Sequence, residues 1–349
     1  MKKLLFTSIL AAAAIVTAQA QSISLTNTFG GNSDNVGTSD FLKFNKDGTK
    51  KEAVVGDRIQ LDLGSQYIDS RVRINLSGDA AWAPKVQGYV DFKPFEGLNL
   101  IGGNAFFWKW TTPGAYLSAT DDYLSHGKLA DNNGAGIVYN FSNDDIGFIV
   151  SGAVGAEARL DLNFGAQFTL NDTFTVGFTA QDVTEKTFTL GGYASLLAVE
   201  NLLLNLGYTY NTNDETYFSA TEHLLQVSSG YKIKDANLAL YADAALGLNN
   251  RKYDATAGDF VTLSDGIPFY LAFRASYAFN ENLNLNGWVR VNHSLTATEN
   301  HTVTTVYPYF DYKTKFGTFR SGVRFTFNDT DGYAGFNIPF SWQYKIANN

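Results

Sequence analysis

Residues 237–250, NLALYADAALGLNN, alternate along an extended chain. Leu238, Leu240, Ala242, Ala244, Leu246 and Leu248 fall on one side, and Asn237, Ala239, Tyr241, Asp243, Ala245, Gly247 and Asn249 on the other. A period of two over about twelve residues marks a strand with one apolar and one polar face. The pattern returns in ARLDLNFGAQFTL, with Leu160, Leu162, Phe164, Ala166, Phe168 and Leu170 against Arg159, Asp161, Asn163, Gly165, Gln167 and Thr169. It returns again in TFTVGFTA, LNLNGWVRV and TFRSGVRFTF; the last sets Phe319, Val323, Phe325 and Phe327 against Thr318, Arg320, Gly322, Arg324 and Thr326. A soluble sheet would turn the apolar face to a core, whereas a membrane barrel turns it to lipid and the polar face to water.

The connections separate these two architectures. Very short turns are expected at 95–97, 142–145, 171–173, 200–201, 234–236, 280–282 and 315–316. Between them lie longer pieces rich in Asp, Asn, Thr and Gly, at 31–56, 110–132, 212–221, 250–267 and 295–302. Short turns on one rim and longer loops on the other are the arrangement of a transmembrane antiparallel up-and-down β-barrel, with periplasmic turns and extracellular loops. The cadence predicts an all-β chain of about 16–18 strands, from near Ser22 to 333–346. Soluble β-sandwiches share frequent turns. Here the strands are longer, their polar faces carry charge, and aromatics gather at strand ends: Tyr208/Tyr210, Trp108/Trp110, Tyr277/Phe279 and Phe340/Trp342/Tyr344.

The N-terminus sets the compartment. Met1-Lys2-Lys3, an apolar stretch from Leu4 to Val16 and Ala18-Gln19-Ala20 read as a secretory signal cleaved before Gln21. Residues 1–20 are thus expected to be removed and 21–349 to form a single barrel domain. No other run of about eighteen apolar residues exists to cross a membrane as a helix. With 26 basic and 34 acidic residues, and two lysines lost with the signal, the exported chain carries 24 − 34 = −10, a charge that does not recruit nucleic acid. Cysteine is absent, which excludes disulfides, thiolate metal sites and a Cys nucleophile.

Charge on the polar faces is the functional signal. Arg58, Arg71, Arg73, Arg159, Arg274, Arg290, Arg320 and Arg324, with Asp62, Asp91, Asp161 and Asp243, alternate away from apolar neighbours. An Arg facing lipid at the midplane costs about 2–4 kcal/mol, so these residues are expected to line the lumen. Rows of opposite charge across a hydrated lumen bias ion selectivity; the same charges also serve to pair and stiffen the wall.

Other chemistry is thin. His126, His223, His293 and His301 match no catalytic spacing, and solvated loop histidines are expected; no enzyme activity is predicted. Asp121, Asp122 and Asp131, or Asn328-Asp329-Thr330-Asp331-Gly332, offer oxygens to Ca²⁺, but the second stretch lacks the spaced carboxylates and final Glu of a calcium loop, so no metal and no cofactor is expected.

The last strand, GFNIPFSWQYKIANN, places Phe336, Ile338, Phe340, Trp342, Tyr344 and Ile346 on one face. It resembles the final strand of bacterial outer-membrane β-barrels, and its IPFSWQYK phrase is similar to the endings of spirochaete outer-membrane proteins and porins. The resemblance implies that Phe340, Trp342, Tyr344 and Ile346 are read by the barrel-assembly machinery, although Ala347-Asn348-Asn349 follow where the family ends on Phe or Tyr. It also implies a setting in outer-membrane lipid and, by analogy, a homotrimer. A barrel of this width is expected to be a porin-like channel for small hydrophilic solutes or ions, with loop 110–132 or 31–56 as its constriction. A surface-exposed structural or adhesive protein, whose barrel anchors the loops, is the competing class.

Overall fold

The computed structural model describes residues 22–30, 40–53, 56–77, 84–103, 134–143, 146–155, 160–170, 173–181, 183–184, 188–196, 199–211, 222–249, 251–254, 256–262, 266–295 and 300–348. The signal-like segment 1–20 and loop 110–132 lie outside them. No helix among the described residues is long and apolar enough to cross a membrane, which does not bear on strands. The first strands are β1 (Ser22–Gly30), β2 (Asp40–Asn45), β3 (Lys50–Ala53), β4 (Gly56–Gly64), β5 (Ile68–Ser77), β6 (Pro84–Phe95), β7 (Leu98–Gly103) and β8 (Gly134–Ser142). There follow β9 (Ile146–Gly155), β10 (Leu160–Leu170), β11 (Phe174–Gln181), β12 (Thr189–Leu196), β13 (Leu202–Asn211), β14 (His223–Ile233), β15 (Leu238–Leu248), β16 (Arg251–Asp254) and β17 (Asp259–Thr262). The chain finishes with β18 (Phe269–Ala278), β19 (Leu283–Leu295), β20 (Asn300–Thr314), β21 (Gly317–Gly322), β22 (Arg324–Asn328) and β23 (Gly332–Asn348).

Each strand from β4 to β15 pairs antiparallel with the next; β15 then pairs with β18, β18 with β19, and β19 with β20. β21 and β22 are two halves of one wall position, broken where the Val323 N–H turns to the Pro308 carbonyl at 3.1 Å; both lie between β20 and β23. The register runs on unshifted from Tyr309↔Gly322 to Val306↔Phe325, and a Cβ on Gly322 would stand 2.2 Å from that carbonyl, so the close approach there needs glycine. β1 pairs with β23 on one side, through Phe29↔Trp342, and with β4 on the other, through Phe29↔Asp57. The ladder therefore closes on itself. Among the described residues its circuit has eighteen positions: β1, the twelve from β4 to β15, β18, β19, β20, β21/β22 and β23. Closure removes the open edges that a sheet of this size would otherwise expose.

The rims differ as expected. Connections between β4 and β5, β6 and β7, β8 and β9, and so on to β20 and β21 run two to five residues, and the start of β1 and the end of β23 lie on that rim. Asn201 and Asn237 adopt φ of 65° and 51° in two of these turns, the left-handed region that asparagine tolerates. The opposite rim carries the 30-residue connection 104–133, and between β15 and β18 a separate hairpin of β16 and β17.

One sequence expectation is corrected on this rim. The described part of 31–56 does not fold inward as a constriction: β2 and β3 pair with each other, and β2 pairs with β23 beyond the end of β1, so the hairpin raises the wall. Phe44 stacks on Phe336 at 4.6 Å, and Lys46 Nζ reaches Asp331 Oδ1 at 2.9 Å across to the β22–β23 turn. Unpaired strand edges in 43–45 find their hydrogen bonds on β23, which is longer than β1 and offers them.

The wall is inside out relative to a soluble domain. On β13, Leu206 is 53% exposed while its neighbour Asn205 is 1% exposed. Exposed apolar side chains recur on most of the long strands, and buried residues include Thr28, Asn75, Asp91, Asn99, Thr175, Ser195, Gln226, Ser228, Asp243 and Asn286. Tyr67, Phe95, Phe141, Phe174, Tyr231, Tyr277, Phe279, Tyr312 and Phe316 ring the short-turn rim on the exposed side, where a bilayer interface favours aromatic side chains.

Candidate functional site: the inner wall

The inner face of β4–β7 is a connected polar lattice. Arg71 Nε donates to Asp62 Oδ1 at 2.5 Å, and Gln60 Nε2 donates to Asp62 Oδ2 at 2.7 Å. Arg73 donates through Nε and Nη2 to Gln60 Oε1 at 3.1 and 2.9 Å. Arg58 Nε donates to Asn75 Oδ1 at 2.9 Å, and Asn75 Nδ2 donates to Gln87 Oε1 at 3.1 Å. Three arginines thus rise along two neighbouring strands, each held at its Nε and Arg73 at Nη2 as well. Toward the short-turn rim, Lys93 pairs with Asp69, and Asn99 Nδ2 donates to both oxygens of Asp91 at 3.0 and 2.8 Å.

The second sector, β15–β22, fixes arginines on aromatic rings. Arg274 lies over Tyr241 at 5.8 Å, Arg290 over Trp288 at 5.1 Å, Arg320 over Tyr309 at 4.9 Å and Arg324 over Tyr307 at 5.1 Å. A guanidinium over a ring face is attracted by the ring's quadrupole, which helps to hold each side chain in place. Arg320 also makes a two-point pair with Asp311, Nε to Oδ1 at 2.6 Å and Nη2 to Oδ2 at 2.9 Å. Tyr241 in turn covers Gly230, where a Cβ would come within 2.8 Å of its ring. Only β23 and β1 separate this sector from the first, so the two form one arginine-rich arc.

The described side chains in the middle of the remaining wall are amides and hydroxyls, with Lys232 in the inward phase at the short-turn end of β14. Ser195 Oγ donates to Asn205 Oδ1, and Asn205 Nδ2 donates to Ser228 Oγ at 3.2 Å. Tyr193 lies over Gly177 and donates to Gln167 Oε1 at 2.9 Å. Amides and hydroxyls here satisfy one another, while Asp243 faces Ser228 where this wall and the arginine-rich wall meet.

Of the residues expected to line the lumen, Arg58, Asp62, Arg71, Arg73, Asp91, Asp243, Arg274, Arg290, Arg320 and Arg324 stand on this face. Arg159 lies outside the described residues, and of Asp161 only the backbone register, opposite Ala153, is described. Sequence reading missed Asp311, whose partner is nine residues away across a hairpin, and the inward aromatics Trp288, Tyr307 and Tyr309. Part of their signal was present, since Trp288 lies in phase with Arg290, and Tyr307, Tyr309 and Asp311 share one phase of β20.

The other singled-out residues sit elsewhere. On β23, Trp342 Nε1–H donates to the Phe316 carbonyl at 2.8 Å, Phe340 meets Phe29 edge-on at 6.4 Å, Tyr344 stacks on Trp342, and Ile346 is exposed opposite Leu25. His223 bonds the Tyr208 hydroxyl at 2.8 Å and His293 the Thr302 hydroxyl at 2.9 Å, both on the outer face. His301 lies 3.7 Å from Asp329, and His126 lies outside the described residues. On the raised rim, the hydrogen bond and charge of Lys46 hold Asp331 below the usual carboxylate range, and the Thr302 N–H does the same for Asp329.

No known protein family and no curated protein sequence matches the chain. Solved structures do. A BenF-like porin from Pseudomonas fluorescens Pf-5 aligns with TM-score 0.63 at 11% identity, over 94% of this chain and 99% of that one. Pseudomonas aeruginosa OpdO aligns at 0.62 and 9% identity over 95% and 98%, and Acinetobacter baumannii OccAB4 at 0.61 and 8% over 95% and 99%. At these identities the likeness is one of fold: the chain is built as a bacterial porin-like β-barrel.

Proposed function

We propose that this protein is an outer-membrane channel through which small hydrophilic solutes pass by passive diffusion, with the arginine-rich arc favouring anions. The observation that carries this reading is the closed circuit of eighteen positions with an apolar exterior and a polar, charged interior. Barrels of 16–18 strands leave an aqueous channel, whereas eight are filled by side chains. Fixed guanidinium groups along a low-dielectric wall raise the local concentration of anions and lower that of cations. The chain would reach the membrane after cleavage of residues 1–20, be assembled through Phe340, Trp342, Tyr344 and Ile346, and sit in outer-membrane lipid; a homotrimer is the arrangement drawn from porin analogy.

Liposome swelling tests the function. Vesicles holding the refolded mature chain should swell in isotonic solutions of small neutral sugars at rates that fall with solute size. Replacing Arg58, Arg73 and Arg320 by Gln should move the zero-current potential in a salt gradient toward cations. Vesicles that stay impermeable around a correctly folded barrel would favour the anchor reading, in which the raised β2–β3 hairpin and the other loops do the work.

A further inference from the structure

One amide on the inner wall stands apart from its bonded neighbours. Gln226, on β14, is 5% exposed, and among the described residues neither Nε2 nor Oε1 of its side chain has a hydrogen-bond partner. Buried side-chain amides are paired in native proteins, because a donor or acceptor that leaves water and finds nothing destabilises the fold. Asn205 and Ser228, nearby on the same face, follow that rule through their bond to each other.

The register shows why Gln226 finds no partner. Its cross-strand neighbours are Gly207 on β13 and Ala245 on β15, so no side chain longer than a methyl stands at either side of the amide. Beyond Gly207, Tyr193 leans the other way, over Gly177, and its hydroxyl is committed to Gln167. Beyond Ala245 stands Tyr270, 1% exposed. Leu224, the next inward residue of β14 toward the longer-loop rim, joins Ala245, Tyr270 and Ala272 in a buried apolar cluster. The chain thus sets one free amide in apolar surroundings on the inside of the barrel.

We propose that Gln226 is the recognition group of a niche for small neutral solutes that carry a primary carboxamide or a urea group. The proposal rests on the channel reading above, which brings solutes to the inner wall. Such a group presents a donor and an acceptor side by side and pairs with Gln226 at two points: its N–H donates to Oε1, and its carbonyl accepts from Nε2. A carboxylate accepts from Nε2 but sets a second acceptor against Oε1. The apolar cluster sharpens the choice, since a low-dielectric setting strengthens a neutral hydrogen bond and penalises an ion. Asp243, the next inward residue on β15 from Ala245, brings a carboxyl group and not a cation to the same neighbourhood. Neutral amides are therefore held away from the arginine-rich arc.

Saturation-transfer NMR on the refolded mature chain in detergent micelles, with propionamide as the probe, tests the niche. The wild type should give a saturable signal that urea competes away. Propionate, and N,N-dimethylpropionamide, which lacks the N–H, should each bind about tenfold more weakly. Gln226→Met keeps the length of the side chain, removes both polar atoms and should weaken propionamide by about the same factor. The comparison of probes uses the wild type alone and so stands even where the variant fails to fold. Equal binding of the three probes, equal binding of propionamide by wild type and folded variant, or no saturable signal from a folded wild type overturns the proposal; the last result would mean that water alone pairs the amide. Swelling of vesicles in arabinose reads the channel separately. A chain that passes arabinose and fails the probe comparison refutes the niche alone, whereas a chain that binds propionamide through Gln226 and passes no sugar refutes the channel and keeps the niche.

Discussion

Moving one charge by one residue on β18 probes the orientation of the whole wall. Phe273 points outward from the middle of the strand and is 58% exposed, and its neighbour Arg274 points inward over Tyr241. Phe273→Arg would place a guanidinium on the outer face at a depth where it costs about 2–4 kcal/mol. At 1.4 kcal/mol per factor of ten, that is a shift of about 30- to 700-fold in the folding equilibrium. The side chain cannot escape by pairing, because its register neighbours Ala242 and Val289 offer neither charge nor hydrogen bond. Phe273→Leu, which keeps the face apolar, should cost less than about 1.5 kcal/mol. The assay is urea-dependent folding into lipid vesicles, read by the folded and unfolded gel bands. If Phe273→Arg folds as well as Phe273→Leu, the outer face does not meet hydrocarbon.

Two further outcomes follow from contacts. Asp311→Asn removes the carboxylate from Arg320 and should cost about 1–3 kcal/mol, discounted because Arg320 remains one-third exposed, while shifting selectivity further toward anions. The Lys46–Asp331 tie gives the raised hairpin a pH dependence with a defined sign. Asp331 is held below its ordinary 3.8, so its contribution is complete above that value and is lost as pH falls through the lower folded value; Lys46 is held above 10.5, so its share is present below that value and lost as pH rises through the higher folded one. Amide exchange at 43–49 should therefore be slowest between these limits, after correction for intrinsic rates, and Asp331→Asn should shrink the acid limb to the part carried by Asp47, whose carboxyl the Thr49 hydroxyl and N–H also hold low.

Period-two alternation made the wall legible because each strand has one neighbour in lipid and one in water. Leu240 and Asp243, for example, need no tertiary information to be assigned to opposite faces. Turn chemistry made the short rim legible, since asparagine at 201 and 237 marks left-handed backbone. Long-range pairing was not legible. Nothing local to 40–53 shows that β23 outlasts β1 and offers an edge there, so an extended hairpin read as a loop. The Asp311–Arg320 pair and the arginines over rings of a neighbouring strand likewise depend on inter-strand register, which alternation alone leaves undetermined by even steps, whereas Arg290 over Trp288 follows from one strand alone.

Single-channel recording of the refolded mature chain in a planar bilayer, after heat-modifiable mobility has shown the barrel to be folded, tests the central claim most directly. A hydrated lumen predicts discrete conductance steps that scale with salt and a zero-current potential on the anion side. A folded barrel that inserts and carries no current would contradict it.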